Sequence, residues 1–234
     1  MDEARNIEAR YAKRGDDWHL ASVVPLHRTL AHQEKERACL KYLRRFPLEQ
    51  LTTLRALEIG SGFGHNLQQF VRWGLAPENL VGSELLPDRT EIARQVLPAG
   101  VTLLSGDSTQ LQLPLESFDI VHLSTVLSSI LDDRFQQTLA NTAWKFLRPG
   151  GAILWYDFVV NNPRNPDVRG VPRKRISQLF PQARIELQSL TLAPPLARMV
   201  TRWAPPLYPV FNCTPLLRTH VLGWLTKPTR GDAT

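Results

Sequence analysis

The sequence predicts an α/β fold: three layers, with a mostly parallel sheet between helices and one antiparallel strand near its edge. Three observations predict it. Short apolar runs of strand type alternate with helix-period stretches, the signature of successive βαβ units with right-handed crossovers. The first run ends in a glycine-rich turn, Leu57-Glu58-Ile59-Gly60-Ser61-Gly62-Phe63-Gly64. The last two strand-like runs have no obvious full helix between them, which predicts an antiparallel finish.

Taken in order, residues 1–20 read as a loose, aromatic-containing arm. Residues 29–46 read as a helix carrying Leu30, Cys39, Leu40 and Leu43 among many charges. Together residues 1–50 form an N-terminal arm, a candidate lid, ahead of a domain spanning 51–234. Leu54–Ile59 is the first strand, and Asn66–Trp73 is the helix behind it, with Gly74 at its end. Leu80–Glu84 is the second strand; Asp88–Leu97 is a helix with Asp88 as its N-cap. Val101–Ser105 and Phe118–Ser124 are the third and fourth strands. Asp133–Phe146 is a long helix stopped by Arg148-Pro149-Gly150-Gly151, and Ala152–Phe158 is the fifth strand. A short helix over Pro172–Leu179 leads to strands at Arg184–Leu192 and Leu217–Leu225.

At 234 residues the chain suits one α/β domain with additions, and its 43% apolar content is ordinary for a globular protein. It holds no uninterrupted apolar run of about twenty residues, the length of a membrane span. The first residues are charged and carry no apolar signal core, so cytoplasm is the default location. Cys39 and Cys213 match no metal motif, and no metal is expected. The charge is uneven. Residues 160–234 hold eleven Lys and Arg against three Asp and Glu. Such a stretch suits a solvated face, an acidic substrate or an anionic surface. No nucleic-acid module accompanies it, so nucleic acid is not expected as a partner.

The glycine turn is the chemically informative motif. Gly60 and Gly62 let the chain turn sharply and let a ligand approach the backbone. The second strand ends in an acid, Glu84, placed to accept hydrogen bonds from ribose hydroxyls. The spacing is not G-x-G-x-x-G, which presents helix N–H groups to a pyrophosphate. It is E-x-G-x-G-x-G, with an acid on the first strand, and an acid there suits a cationic ligand better than a phosphate.

These residues resemble motif I of the class I S-adenosylmethionine (SAM) methyltransferases. The resemblance covers roughly residues 50–158 by motif and the remainder by topology, and it implies a Rossmann-like fold and SAM as cofactor, with S-adenosylhomocysteine (SAH) as product. By that resemblance Glu58 lies near the amino-acid end of SAM, Gly60 and Gly62 form the turn beneath it, and Asn66 sits in the next helix. Glu84 holds the ribose, Leu85 lies along the adenine, and Gly106-Asp107-Ser108 resembles the segment whose acid faces the adenine amine. Ser124 lies beside the methionine part, and Tyr11, in an N-terminal segment that folds over the pocket, lies near the cofactor. Read without the resemblance, Asp107 is a turn or cap residue and Tyr11 part of a terminal arm.

The methyl acceptor is expected over the carboxyl ends of the fourth and fifth strands. The chain there offers Tyr156, Asn161, Asn162 and Arg164 in a polar loop, which also reads as a turn network satisfying its own backbone. Methyl transfer is an in-line displacement that needs alignment and, for a hydroxyl acceptor, a base. Asp157 is the first candidate base, followed by His122 and His220, each of which also reads as a satisfied core histidine. The expected reaction is methylation of an oxygen on a small molecule, natural product or sugar. An amine, or a lipid or quinone, is the alternative within enzymes; a SAM- or SAH-binding partner protein without turnover is the alternative outside them. Residues 190–213 are apolar and proline-punctuated, with Leu196, Met199, Val200 and Trp203 on one helical stripe. They read as a packed helix, a pocket wall, a dimer contact or a peripheral membrane contact. Monomer and homodimer are both compatible with the sequence.

Overall fold

The computed structural model describes residues 3–13, 22, 24–163, 165–229 and 231. The chain begins with helices α1 (Glu3–Ala12) and α2 (Leu26–Leu43). It continues through β1 (Ala56–Ile59), α3 (His65–Arg72), β2 (Leu80–Glu84), α4 (Pro87–Val96), β3 (Thr102–Ser105) and β4 (Phe118–Ser124). There follow α5 (Asp133–Phe146), β5 (Leu147–Phe158), α6 (Arg173–Leu179), β6 (Arg184–Leu192), α7 (Pro194–Trp203), α8 (Tyr208–Asn212) and β7 (Arg218–Thr226).

The seven strands form one sheet in the order β3-β2-β1-β4-β5-β7-β6. The first five pair in parallel, and β7 runs antiparallel to both β5 and β6. This is a Rossmann-like sheet with one reversed strand next to its edge. Alternation along the strands builds a core on each face. Leu57, Ile59, Val121, Leu123, Ile153 and Trp155 face α5 and α6. Ala56, Leu80, Ile120, Leu154 and Leu222 face α2, α3 and α4. Parity therefore puts Glu58 and His122 on the α2–α3 side.

The structure corrects several boundaries. Residues 3–12 are helical rather than a loose arm: Glu, Ala and Arg are strong helix formers, and Ala4 and Ile7 bury one face. Helix α4 starts at Pro87, a residue pre-organised for the first helical position, so Leu86 is its cap and Asp88 sits in the first turn. Strand β5 begins at Leu147, so the Arg148-Pro149-Gly150-Gly151 turn lies within it, where the register against β4 shifts. Gly150 there takes φ +78°, and a side chain at Gly151 would stand 2.8 Å from the Asp119 carbonyl. Helix α7 buries Ala197 and Val200, so the stripe read from the sequence is split: Met199 and Trp203 turn outward.

At the amino ends of the strands, Asp119 is a structural clamp. Its Oδ2 accepts the Arg55 N–H at 2.7 Å and its Oδ1 pairs with the Arg148 guanidinium at 2.5 Å. Asp119→Ala is expected to lower stability by about 1 kcal/mol, because the Arg55 N–H and the Arg148 guanidinium both lose their partner. Urea unfolding measures the loss. The ligand cleft lies at the opposite ends of the strands, so the folded variant keeps its ligand affinity.

Candidate active site

A cleft of about 260 Å³ opens over the carboxyl ends of β1, β2 and β4. Strand order reverses there, the place where open α/β sheets bind ligands. The glycine turn forms its floor. Gly60, Gly62 and Gly64 all take positive φ (+71°, +55° and +83°), and the Gly60 and Ser61 N–H groups donate to the Ser83 carbonyl at 2.7 and 2.9 Å. A side chain at Gly60 would meet Val126 Cγ2 at 2.5 Å, whereas one at Gly62 would meet nothing within 4 Å. Gly62 thus leaves its space to the cleft.

Glu84 is buried and fixes the turn against β2. Its Oε2 accepts the Gly62 N–H at 2.7 Å, and its Oε1 accepts the Leu86 N–H at 3.0 Å. Each carboxylate oxygen has a second lone-pair site for a ligand hydroxyl. Across the cleft Asp107 caps the short helical turn Ser108–Gln110 by accepting the Thr109 N–H at 2.8 Å, and the Ser108 and Ser83 hydroxyls share a hydrogen bond of 2.7 Å. Helix α1 covers the opening, with Ile7 and Tyr11 lining it. The Tyr11 hydroxyl bonds the Ser129 hydroxyl at 3.0 Å, Arg10 donates to the Ser129 carbonyl at 2.8 Å, and the Leu131 N–H donates to Glu3 at 2.9 Å. The Arg89 guanidinium stacks on the Tyr11 and Phe63 rings at 4.4 and 5.1 Å.

Beneath the turn runs a buried polar chain. Glu58, fully buried, accepts from Asn66 Nδ2 at 2.7 Å and pairs with His122 Nδ1 at 3.1 Å. Its Oε2, the Ser61 hydroxyl and His122 Nε2 are buried and have no partner among the described residues. Lys35 of α2 continues the chain: its ammonium donates to Asn66 Oδ1 and to the Ser124 hydroxyl, each at 3.0 Å, and lies 4.7 Å over the Tyr156 ring. Burial pulls the Lys35 pKa down, against Cys39 and Glu58. Burial also pulls His122 down, against its bond to Glu58.

The cleft brings together Tyr11, Gly60, Gly62, Asn66, Glu84, Leu85, Asp107, Ser108 and Ser124. Glu58 lies a layer below, in touch through Asn66. Gly106, at φ +118°, donates its N–H to the Glu84 carbonyl at 2.8 Å and serves the turn.

The three candidate bases do not line the cleft. Asp157 is fully buried, and its carboxylate accepts the Ser128 and Phe158 N–H groups, each at 3.0 Å; burial pushes its pKa up to about 7. It anchors the segment after β4. His122 is committed to Glu58. His220 stacks on Tyr156 at 5.3 Å between ring centres and shares a hydrogen bond with Thr219. Tyr156 bonds Thr191 at 2.9 Å, and burial raises its pKa. Asn161 accepts the Gly170 N–H at 2.8 Å and so holds its own loop, and Asn162 is exposed on that loop. Arg164 lies outside the described residues.

Sequence reasoning missed Lys35, Arg89, Phe63 and the Thr125–Ile130 wall. Lys35 sits in a helix of many charges, and no local pattern marks the one that turns inward. Thr125 carries a structural mark, φ +57°, in the segment that turns off β4 over the cleft.

Residues 56–151 match a family model described as a methyltransferase domain. No curated protein matches the chain in sequence. Among solved structures, the chain is similar to the N-methyltransferase NodS from Bradyrhizobium japonicum WM9 in complex with SAH. The TM-score is 0.62 at 16% identity, over 96% of this chain and 99% of that one. It is similar to a possible histamine N-methyltransferase from Thermotoga maritima (TM-score 0.58, 18% identity, 96% and 99% covered). It is also similar to a SAM-dependent methyltransferase from Mesorhizobium loti (TM-score 0.55, 18% identity, 74% and 90% covered). At these identities the likeness is one of fold.

Burial and the Lys35 charge hold the His220 pKa down at about 4, against an ordinary 6.5. Between those values the unfolded chain takes a proton that the folded chain refuses. The stabilisation is therefore full above pH 6.5 and is lost as pH falls toward 4. With partial exposure discounted, the loss amounts to about 2 kcal/mol. Urea unfolding of His220→Phe across this range is expected to show a flatter acid limb than the parent chain.

Proposed function

The chain carries a class I SAM-dependent methyltransferase domain, and from that premise we propose that it methylates a small molecule held beside the cleft, with an amine as the favoured nucleophile. The observation that carries the cofactor reading is the pair of carboxylates flanking the glycine turn. Glu58 and Glu84 make this turn repellent to a pyrophosphate and receptive to a cation that also brings hydroxyl and amino donors. The residues fit SAM. Glu84 would hold the ribose hydroxyls, Asp107 and Ser108 the adenine edge, and Leu85 its face. Lys35, bridging Asn66 and Ser124, would face the carboxylate of the methionine part. Ser61, which lines the cleft and whose buried hydroxyl has no partner among the described residues, suits an arriving polar group.

SAM supplies a methyl group on a positively charged sulfur. The chain's part is to align the acceptor in line with it and to exclude water. Tyr11 and Ile7 close the opening from α1, and Arg89 braces Tyr11 from outside. A neutral amine attacks without a base in the transition state. The placement of Asp157, His122 and His220 away from the cleft favours that acceptor over the hydroxyl expected from the sequence. A hydroxyl acceptor is the second reading, favoured by His65, the histidine that lines the cleft among the described residues.

Calorimetric titration with SAH tests the cofactor reading. Glu84→Ala and Lys35→Met are each expected to weaken SAH by at least about tenfold, the loss of one charge-assisted contact. Undiminished affinity in both would contradict it. Transfer from labelled SAM to paired amine and hydroxyl acceptors tests the nucleophile. Turnover on amines that survives His65→Ala supports the first reading, turnover on hydroxyls that His65→Ala abolishes supports the second, and SAH binding with no turnover on either identifies a binding protein.

A further inference from the structure

Helices α7 and α8, inserted between β6 and β7, form a layer packed on α2 through Leu30, Ala197, Val200 and Tyr208. Its outer side is apolar. Met199 is 54% and Trp203 75% exposed on α7, and the segments that follow it expose Val210 at 65% and Leu216 at 94%. At 100° per residue the outward half of α7 divides into two strips, Arg198 with Arg202 and Met199 with Trp203. Both arginines are exposed and form no ion pair among the described residues. The Arg202 guanidinium lies 5.1 Å over the Trp203 ring. No Asp or Glu occurs between Glu186 and Asp232. Among the described residues, the cations of β7 and just after it are paired: Arg218 with Glu34 at 3.5 Å and Lys227 with Glu116 at 3.0 Å.

We propose that this face docks on an anionic lipid bilayer. Protruding apolar side chains beside unpaired arginines, with an indole between the two, are what an interfacial helix presents to headgroups and acyl chains. Charge argues against a second copy of the chain. A two-fold contact through this face would bring four arginines into one interface, with no acid in the stretch to pair with them. A bilayer containing anionic lipid supplies that charge. The docked layer stands one helix, α2, away from the cleft. Membrane-dissolved or amphiphilic acceptors are the class that would profit. The docking itself does not depend on the methyltransferase reading.

The test is co-sedimentation of the full chain with vesicles of phosphatidylcholine alone and of phosphatidylcholine mixed with phosphatidylglycerol, read for the parent and two double variants. Arg198→Glu with Arg202→Glu removes the charge; Met199→Ser with Trp203→Ser removes the apolar anchors. All four residues are exposed and off the cleft, so circular dichroism and SAH affinity serve as controls for folding. The parent is expected to bind the phosphatidylglycerol vesicles, to release them in high salt, and to lose at least about tenfold in affinity with either double variant. No binding to those vesicles, equal binding to both compositions, or binding untouched by both variants would overturn the proposal. So would a concentration-dependent dimer, seen by sedimentation velocity and abolished by the same substitutions, without vesicle binding.

Discussion

The arrangement depends on one buried carboxylate. Glu58 sits in β1, the third strand of the seven-stranded sheet and next to the central β4, with none of its surface exposed. Removing an ion of this size from water costs several kcal/mol even after relaxation. Its surroundings are therefore dictated. Asn66 at the start of α3 and His122 on the neighbouring β4 both turn toward it, and Lys35 of α2 reaches the same asparagine. Four elements, β1, α2, α3 and β4, meet around this one buried carboxyl group. Those ties set where α3 begins, and so where the glycine turn must fold back.

The rest of the site follows from that geometry. Strand β2 carries its own acid, Glu84, one residue past the last β1–β2 pair, Ile59 with Ser83, and it is the carboxylate that lines the cleft beside the turn. The parallel strands deliver every ligand-facing residue to one edge of the sheet. The amino-terminal edge holds structural clamps such as Asp119. The cover is built from outside the sheet. Helix α1 is pinned to the segment after β4 by Glu3, Arg10 and Tyr11, and α2 inserts a lysine between the cofactor side and the Tyr156–His220 stack. Asp157, placed as a base by sequence logic, holds that segment by its backbone instead.

The parts legible in the sequence were those governed by local chemistry. The short apolar runs of the strands, the glycine turn and the acid that ends β2 are written within a few residues of each other, and β2, β4, α5 and β6 begin and end where the pattern says. The missed parts depend on tertiary placement. Helix α1 is polar nearly all round, and only contact with the 129–131 segment makes it a cover. Lys35 has no neighbour in sequence that distinguishes it from the other charges of α2. The α7 stripe was misread because burial selected Ala197 and Val200 and left larger apolar groups outside. Asn161 reads equally as a ligand and as a loop staple, and only its bond to Gly170 decides between them.

The most direct test of the central claim is a crystal structure of the chain grown with SAH. The account predicts the ligand in the cleft above Gly60 and Gly62, its ribose hydroxyls on Glu84, its carboxylate on the Lys35 ammonium, and the Glu58–Asn66–His122 chain unchanged beneath it. Ligand density elsewhere on the molecule, or a cofactor in the cleft with Lys35 turned away and the Glu58 chain rearranged, would contradict it.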